Sequence, residues 1–420
     1  MTHDGTETPD ECTAGFVVQN NFPVDREVRT RRIAKTLDDS RDSVVVFARN
    51  TAEDPDRGEI ADERRTRREQ LSYAIVRRFS WLASTPVSGL VLAPVPVNPV
   101  WTLWLLLEFY RYDIDVAISG DLMAGVPTAV AAKLLGRPMV IDVRENYVAL
   151  AKTLPTDSLF DRVAQDERTV RALERVTLWL ADEVWVVVEE RREQLVEAGV
   201  PASKVTVVSN TPELPATESP ERDADDASDE FGWPGLTLVY LGFINEYRGL
   251  DLLLDAVAAM DANGEADVHL AIAGEGPHRA QLETRCERLG IEDHVTFVGW
   301  VEPSQAPAFL AAGDVGVIPH VVTPLTTYTV PNKLFDYMRA GLPVLATDMD
   351  PVRRIVTEEE CGVILPRDPS DSEVVAAIRE LEASGPADLG DNGRQAVSRR
   401  YNWDHDAQRV RATVSELRPE

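Results

Sequence analysis

The chain has 420 residues, with 71 acidic and 43 basic side chains and a formal charge of -28 spread along its length. It is too long for one ordinary domain of roughly 100–200 residues, so two domains, each with its own core, are expected. No basic stripe is present to meet a phosphate backbone, which argues against nucleic acid as a partner.

Cys12, Cys286 and Cys361 are too scattered for a C-x-x-C pair or a disulfide framework, so they read as reduced thiols in a reducing, cytoplasmic compartment, and no structural zinc is expected. The only lysines are Lys35, Lys133, Lys152, Lys204 and Lys333. An acidic, lysine-poor, arginine-bearing composition resembles that of cytoplasmic proteins of extreme halophiles.

In chain order, residues 1–13 form a polar, acidic tail without the basic and apolar regions of a secretory signal. Residues 14–210 carry six short apolar runs rich in β-branched residues, "GFVVQN", "SVVVFA", "DVAIS", "PMVIDV", "VWVVV" and "KVTVVS", with helical periods between them. One such helix is expected over Val126–Leu135, with Pro127 in its first turn and Gly136 ending it. Arg26 and Arg29 begin the first helix after "GFVVQN" and are candidates either for holding an anion or for a solvated face. The apolar region Val87–Tyr112 is broken by Pro94, Pro96 and Pro99. Its unbroken run, Val100–Leu107, falls far short of the roughly 20 residues of a membrane-spanning helix, and is expected to pack on its own sheet or to touch a membrane surface.

Residues 211–233 include the acidic stretch Ala216–Glu230 and read as a linker or long loop. The strand–helix alternation then restarts over 234–395 with "LTLVYLG", "VHLAIAG", "VTFVG", "VGVIP", "PVLAT" and "CGVIL", and 396–420 form a helical segment expected to pack back on the first domain. The fold class is therefore α/β, two tandem Rossmann-like doubly wound domains, with ligands expected beyond the carboxyl ends of the strands.

Two loops of the second half point to an anion and a third to a flat ligand. Gly242 and Gly249 bracket a turn that sets Arg248 at a helix start, either an anion site or an exposed arginine. Lys333 and Asp336 share a face of the helix in "VPNKLFDYMRAG", where they either point into a cleft or form a surface ion pair. "AGEGPH" places Gly274, Glu275 and Gly276 between a strand and a helix. It lacks the third glycine of a dinucleotide fingerprint but permits close backbone approach to a flat ligand.

Taken in order, "YLGFINEYRGLDLLLDA", "IAGEGPHRAQLE", "VTFVGWVEPSQ", "PNKLFDYMRAGLPVLATD" and "CGVILP" resemble the C-terminal half of retaining GT-B glycosyltransferases of family four, and the first half is similar more loosely. The resemblance implies two domains with a cleft between them. A nucleotide-diphosphate sugar would be held on the second domain and a glycan or lipid-linked acceptor on the first, with transfer needing neither metal nor cofactor. It places Arg248 and Lys333 at the diphosphate, Asp336 at the ribose hydroxyls, Gly274, Glu275 and Gly276 near the nucleoside, and Val298 and Gly299 near the base, with Gly242 also among the donor-binding residues. Tyr328 stands where the family has the first of two glutamates, and Phe243 where many members have an arginine.

Arg248 and Lys333 are expected to stabilise the charge developing on the leaving diphosphate. No histidine lies between His3 and His269, so the candidate bases on the acceptor side are Asp121 and Glu145, with a departing phosphate oxygen as the alternative. Arg26 and Arg29 become candidates for the acceptor or the donor phosphates. His320 follows the strand "VGVIP" and reads either as a group near the donor or as a loop histidine, and Asp348 and Asp350 read as structural rather than metal-binding carboxylates. The competing functions are a sugar-nucleotide 2-epimerase and a non-catalytic partner subunit of the same fold.

Overall fold

The computed structural model describes residues 12–18, 28–38, 43–48, 98–152, 165–214, 231–264 and 268–418. Arg26, the acidic stretch 216–230 and most of the tail 1–13 lie outside the described residues. The chain forms two compact units, one of residues 1–209 with 406–420 and one of residues 210–405.

The first unit contains β1 (Thr13–Val18), α1 (Val28–Asp38), β2 (Ser43–Ala48), α2 (Pro99–Arg111), β3 (Val116–Ser119), α3 (Leu122–Leu134), β4 (Met139–Val143), α4 (Tyr147–Ala151), α5 (Glu167–Leu180), β5 (Glu183–Val186), α6 (Glu189–Glu197) and β6 (Val205–Val207). Its sheet runs β2-β1-β3-β4-β5-β6, with every pairing parallel. The strands were readable as continuous apolar runs because a parallel sheet is covered by helices on both faces.

Helix α3 departs from the sequence expectation. It begins at Leu122, four residues before Val126, because the Asp121 side chain caps it by accepting from the Ala124 amide at 2.7 Å. Pro127 therefore lies inside the helix rather than in its first turn. The run Val100–Leu107 forms the middle of α2, where Trp101, Leu105 and Phe109 are buried and Leu103, Leu107 and Tyr110 are exposed. No helix among the described residues is long and apolar enough to cross a membrane.

The second unit contains β7 (Leu236–Leu241), α7 (Leu250–Ala262), β8 (Val268–Ala273), α8 (Arg279–Leu289), β9 (Val295–Gly299), α9 (Ala306–Ala311), β10 (Val315–Ile318), α10 (Asn332–Ala340), β11 (Val344–Thr347), α11 (Asp350–Glu358), β12 (Gly362–Leu365), α12 (Asp371–Ala383) and α13 (Pro386–Arg399). Its strands are again parallel, in the order β12-β11-β10-β7-β8-β9. Leu250, Leu253, Leu254, Val257 and Met260 of α7 recur at helical spacing and are buried against this sheet, each leucine contributing about 1.5–3 kcal/mol relative to exposure. The described ends of the expected linker also pack: Leu214, Phe231 and Trp233 lie against the core, with Phe231 and Trp233 edge-on to Phe309.

A last helix, α14 (Trp403–Leu417), carries the chain into the first unit from Asp406 onward. There Asp406 accepts from the Ser209 amide at 3.0 Å, Arg409 donates to the Val207 carbonyl at 3.1 Å, and the Trp185 indole donates to Thr413 at 3.4 Å.

In each sheet the strand order reverses beside its first strand, between β1 and β3 and between β7 and β10. A crevice opens at the carboxyl ends of the strands where such a reversal occurs.

Candidate functional site

The β7–β10 reversal is held open by one side chain. The ladder pairs Val315 with Leu238 and Gly316 with Val239. Beyond it, the Tyr337 hydroxyl sits between the strand ends, accepting from the Leu241 amide at 3.1 Å and donating to the Val317 carbonyl at 3.4 Å. Gly316 leaves room for this ring, since a Cβ there would lie 2.4 Å from it.

One turn before Tyr337 in α10, Lys333 enters the same crevice. Its Nζ lies 3.5 Å from the centroid of the Tyr240 ring, is buried, and has no hydrogen-bond partner among the described residues. Tyr240 is fixed in turn by donating its hydroxyl to the Phe243 carbonyl at 2.8 Å. A Cβ on Gly242 would come within 3.1 Å of Nζ, so this glycine at the end of β7 makes room for the ammonium.

Arg248 arrives from the other side. Residues Glu246–Arg248 form a short 3-10 turn, followed by Gly249 at φ 65°, the left-handed conformation that glycine adopts without a Cβ penalty. A Cβ on Gly249 would lie 1.9 Å from the Pro319 carbonyl, and the Val321 amide donates to the Tyr247 carbonyl at 3.0 Å, so the turn is sewn to the loop after β10. That seam brings Arg248 Nη1 to 3.2 Å from Nε2 and 3.4 Å from Nδ1 of His320. Arg248 Nε is buried without a hydrogen-bond partner among the described residues. His320 is 1% exposed, and its carbonyl accepts from Thr347 at 2.6 Å.

This cluster is charged and underneutralised. Burial pushes the Lys333 ammonium well below the usual lysine pKa and Arg248 adds to the shift, while Asp336 partly opposes it. Burial, then Lys333 and Arg248, lower His320 well below the ordinary histidine value, so its imidazole is neutral. Neither α7 nor α10 has a side-chain cap at its N-terminus. Their amide dipoles add positive potential at the same strand ends.

The remaining predicted residues divide. Asp336 does not pair with Lys333; its carboxylate lies 3.6 Å from Arg339 and is about one-third exposed. Gly274 and Gly276 do allow a close approach, but of chain to chain: Cβ atoms there would lie 1.9 Å from the carbonyls of Gly242 and Ile244. Glu275 pairs with Arg279, whose guanidinium lies 5.9 Å from the Phe297 ring centroid. Val298 and Gly299 end β9 beside this pair, and the Gly299 carbonyl accepts from Gly274 at 2.6 Å.

In the first unit Arg29 corrects the sequence reading. It lies neither on a solvated face nor open to an anion, but is buried and donates to the fully buried Asp142 at 2.7 and 2.9 Å and to the Ser209 carbonyl at 3.2 Å. Arg144 donates to the same carboxylate at 2.8 Å. Asp121 serves as the cap of α3. Glu145 follows β4 with an exposed side chain, yet the surrounding protein raises its pKa by desolvation, partly countered by Arg144. The carboxylates of Asp348 and Asp350 are both bridged by Arg353 and Arg367, which supports their structural reading.

Sequence reasoning missed Tyr240, Tyr337 and the central place of His320. The four-residue spacing of Lys333 and Tyr337 was a usable signal, because it stacks the two side chains on one helix face.

Residues 235–384 match the family described as glycosyl transferases group 1, and residues 27–211 match the glycosyl transferase 4-like domain. The chain is 28% identical over 263 residues to a 2-deoxystreptamine glucosyltransferase of Streptomyces kanamyceticus, covering 60% of this chain and 65% of that protein. It is 31% identical over 187 residues to a phosphatidyl-myo-inositol mannosyltransferase of Mycobacterium tuberculosis, covering 41% of this chain and 45% of that one. Among solved structures, Anabaena Alr3699/HepE in complex with UDP superposes with a TM-score of 0.72 at 17% identity, over 96% of this chain and 100% of that one. WaaG, a glycosyltransferase of lipopolysaccharide biosynthesis, gives 0.64 at 14% identity, over 95% and 99%. These likenesses establish the GT-B fold.

Proposed function

From the two glycosyl transferase domains that this chain carries, we propose that it transfers a sugar from a nucleotide-diphosphate donor to a glycan or lipid-linked acceptor, with retention and without a resident metal. The observation that carries this reading is the pair of buried cationic atoms, Lys333 Nζ and Arg248 Nε, without hydrogen-bond partners at the β7–β10 crevice. A buried cation without a counterion costs free energy unless a ligand supplies one. A diphosphate does so, and its negative charge grows as the glycosidic bond breaks, so cations fixed beforehand favour the transition state over the ground state.

In this reading the diphosphate lies between Arg248 and Lys333, with the N-termini of α7 and α10 aimed at it. The nucleoside extends toward Gly274–Gly276 and Gly299, and Asp336 accepts from the ribose hydroxyls. Glu145 or a departing phosphate oxygen takes the acceptor proton, and Asp121 keeps its capping role. Retention follows if the leaving phosphate and the acceptor share one face of the sugar. The arginine bridges at Asp348 and Asp350 already meet the charge of that D-x-D pair.

Turnover with a panel of UDP-, GDP-, ADP- and dTDP-sugars, in wild type and in Lys333→Met and Arg248→Met, tests the reading. Transfer or slow donor hydrolysis with one nucleotide, lost in both variants, supports it. Binding without either reaction on any donor returns the non-catalytic subunit.

A lipid-linked acceptor is favoured by one further surface. Helix α3 packs between α2 and α5. Leu103, Leu107 and Tyr110 of α2, Leu134 of α3 and Val176 and Trp179 of α5 are exposed, and α5 also carries the exposed Arg168, Arg171 and Arg175, of which Arg171 pairs with Glu167. Exposed apolar groups flanked by arginines on an acidic chain match an anionic lipid surface, each arginine near it contributing about 1 kcal/mol. Flotation with anionic but not neutral liposomes, lost in Trp179→Glu, is the expected result; failure to float with either removes the membrane contact.

A further inference from the structure

His320 has no part in the reading above, yet it is the least exposed member of the cationic cluster. It follows β10, its ring touches Arg248 Nη1, and its carbonyl is fixed by Thr347. The charged groups that act on it are Arg248, from the turn after β7, and Lys333, from α10. Between two cations and away from water the imidazole carries no charge. A neutral ring can accept from Arg248 and so hold the guanidinium in place.

We propose that His320 is a positioning residue that takes up one proton from solvent when a diphosphate enters the Arg248–Lys333 crevice. The entering anion reverses the local potential that kept the ring neutral. The proton comes from bulk solvent and goes to the ring nitrogen whose lone pair had accepted from Arg248, since in the neutral ring the other nitrogen already carries one; apart from this N–H bond no covalent bond changes. The protonated ring then adds a third cation to the diphosphate site, and Arg248 is released to donate wholly to phosphate. The inference rests on the diphosphate reading of the crevice and deepens it by making donor binding proton-linked.

Titration calorimetry of UDP binding tests this at pH 7.5 in buffers of differing ionisation heat, with wild type and His320→Asn compared. Asparagine keeps a hydrogen-bond acceptor for Arg248 but cannot take a proton in this range, and protonation of UDP itself is common to both proteins. The expected result is an uptake of up to one more proton per UDP in wild type, with UDP affinity falling as pH rises more steeply than in the variant, by up to tenfold per pH unit. Equal proton counts with intact binding overturn the role of His320 and leave the diphosphate site standing. Absence of binding by UDP, GDP, ADP and dTDP to wild type overturns the diphosphate site and this inference with it. Should His320→Asn fail to fold, imidazole nitrogen spectra of wild type decide. One of the six histidines, buried and slow to exchange, is expected to pass from neutral to protonated on saturation with UDP, and no such change counts against the proposal.

Discussion

The two sheets reverse their strand order in the same way but treat buried charge in opposite ways. In the first unit Asp142, wholly buried in β4, is surrounded by Arg29 and Arg144, each within hydrogen-bond distance. In the second, Lys333 and Arg248 meet at the strand ends with a neutral imidazole and an aromatic ring in place of a carboxylate. A buried charge that the fold has neutralised holds the fold together, whereas one left without a counterion marks the place of a ligand. The contrast separates structural from functional arginines, which residue type alone does not.

The largest effect is expected where the charge is paired. Asp142→Asn leaves Arg29 buried without its anion and should cost about 3–5 kcal/mol in denaturant unfolding. Burial alone would raise the Asp142 pKa, but Arg29 and then Arg144 more than offset it, so the folded value is lowered. This contribution to stability is therefore present above the unfolded carboxyl pKa and lost as pH falls through the folded one. A stability profile that loses its acid limb in the variant confirms the sign.

Breaking the other side should do the reverse. Lys333→Met is expected to lower kcat/KM by roughly 10²–10³-fold, while the ligand-free protein becomes no less stable. Because the folded Lys333 pKa is lowered, the penalty in wild type is present at low pH and is relieved as pH rises from the folded to the unfolded value. Thermal melts across that range should show wild type approaching the variant.

A smaller effect is expected at the seam. Gly249→Ala forces a Cβ against the Pro319 carbonyl at a left-handed φ, the backbone penalty alone costing about 1–2 kcal/mol before the clash is relieved. As Arg248 shifts, kcat should fall in parallel with nucleotide affinity. The smallest concerns Asp121: alanine should cost about 1 kcal/mol as a lost cap, and asparagine only a few tenths. Normal turnover in Asp121→Asn would leave it a cap alone, and loss of turnover with unchanged stability would restore it as a base.

The strands were legible because sheets covered on both faces need uninterrupted apolar runs, and all twelve appear where the sequence placed them. Arg248 and Lys333 were legible because each precedes or opens a helix at a strand's carboxyl end. Tyr240, Tyr337 and the contact of His320 with Arg248 were not, since these groups meet only through the pairing of β7 with β10, strands well separated in sequence. Arg29 was misread because arginine usually sits in water, although the signal was present: an aspartate within "VIDV", a strand buried on both faces, requires a buried cation. The start of α3 differs from the sequence expectation because Pro127 suits a first turn, while Asp121 supplies a cap further upstream.

The central claim, that the cations of the second crevice await a diphosphate, is tested most directly by thermal unfolding of wild type and Lys333→Met with and without UDP, GDP, ADP or dTDP. A ligand at a hundred times its Kd adds about 2.7 kcal/mol of stability. The prediction is a shift of that size in wild type with one nucleotide, its loss in the variant, and a variant at least as stable as wild type when no nucleotide is present. Equal shifts in both proteins, or a variant markedly less stable without ligand, would contradict it.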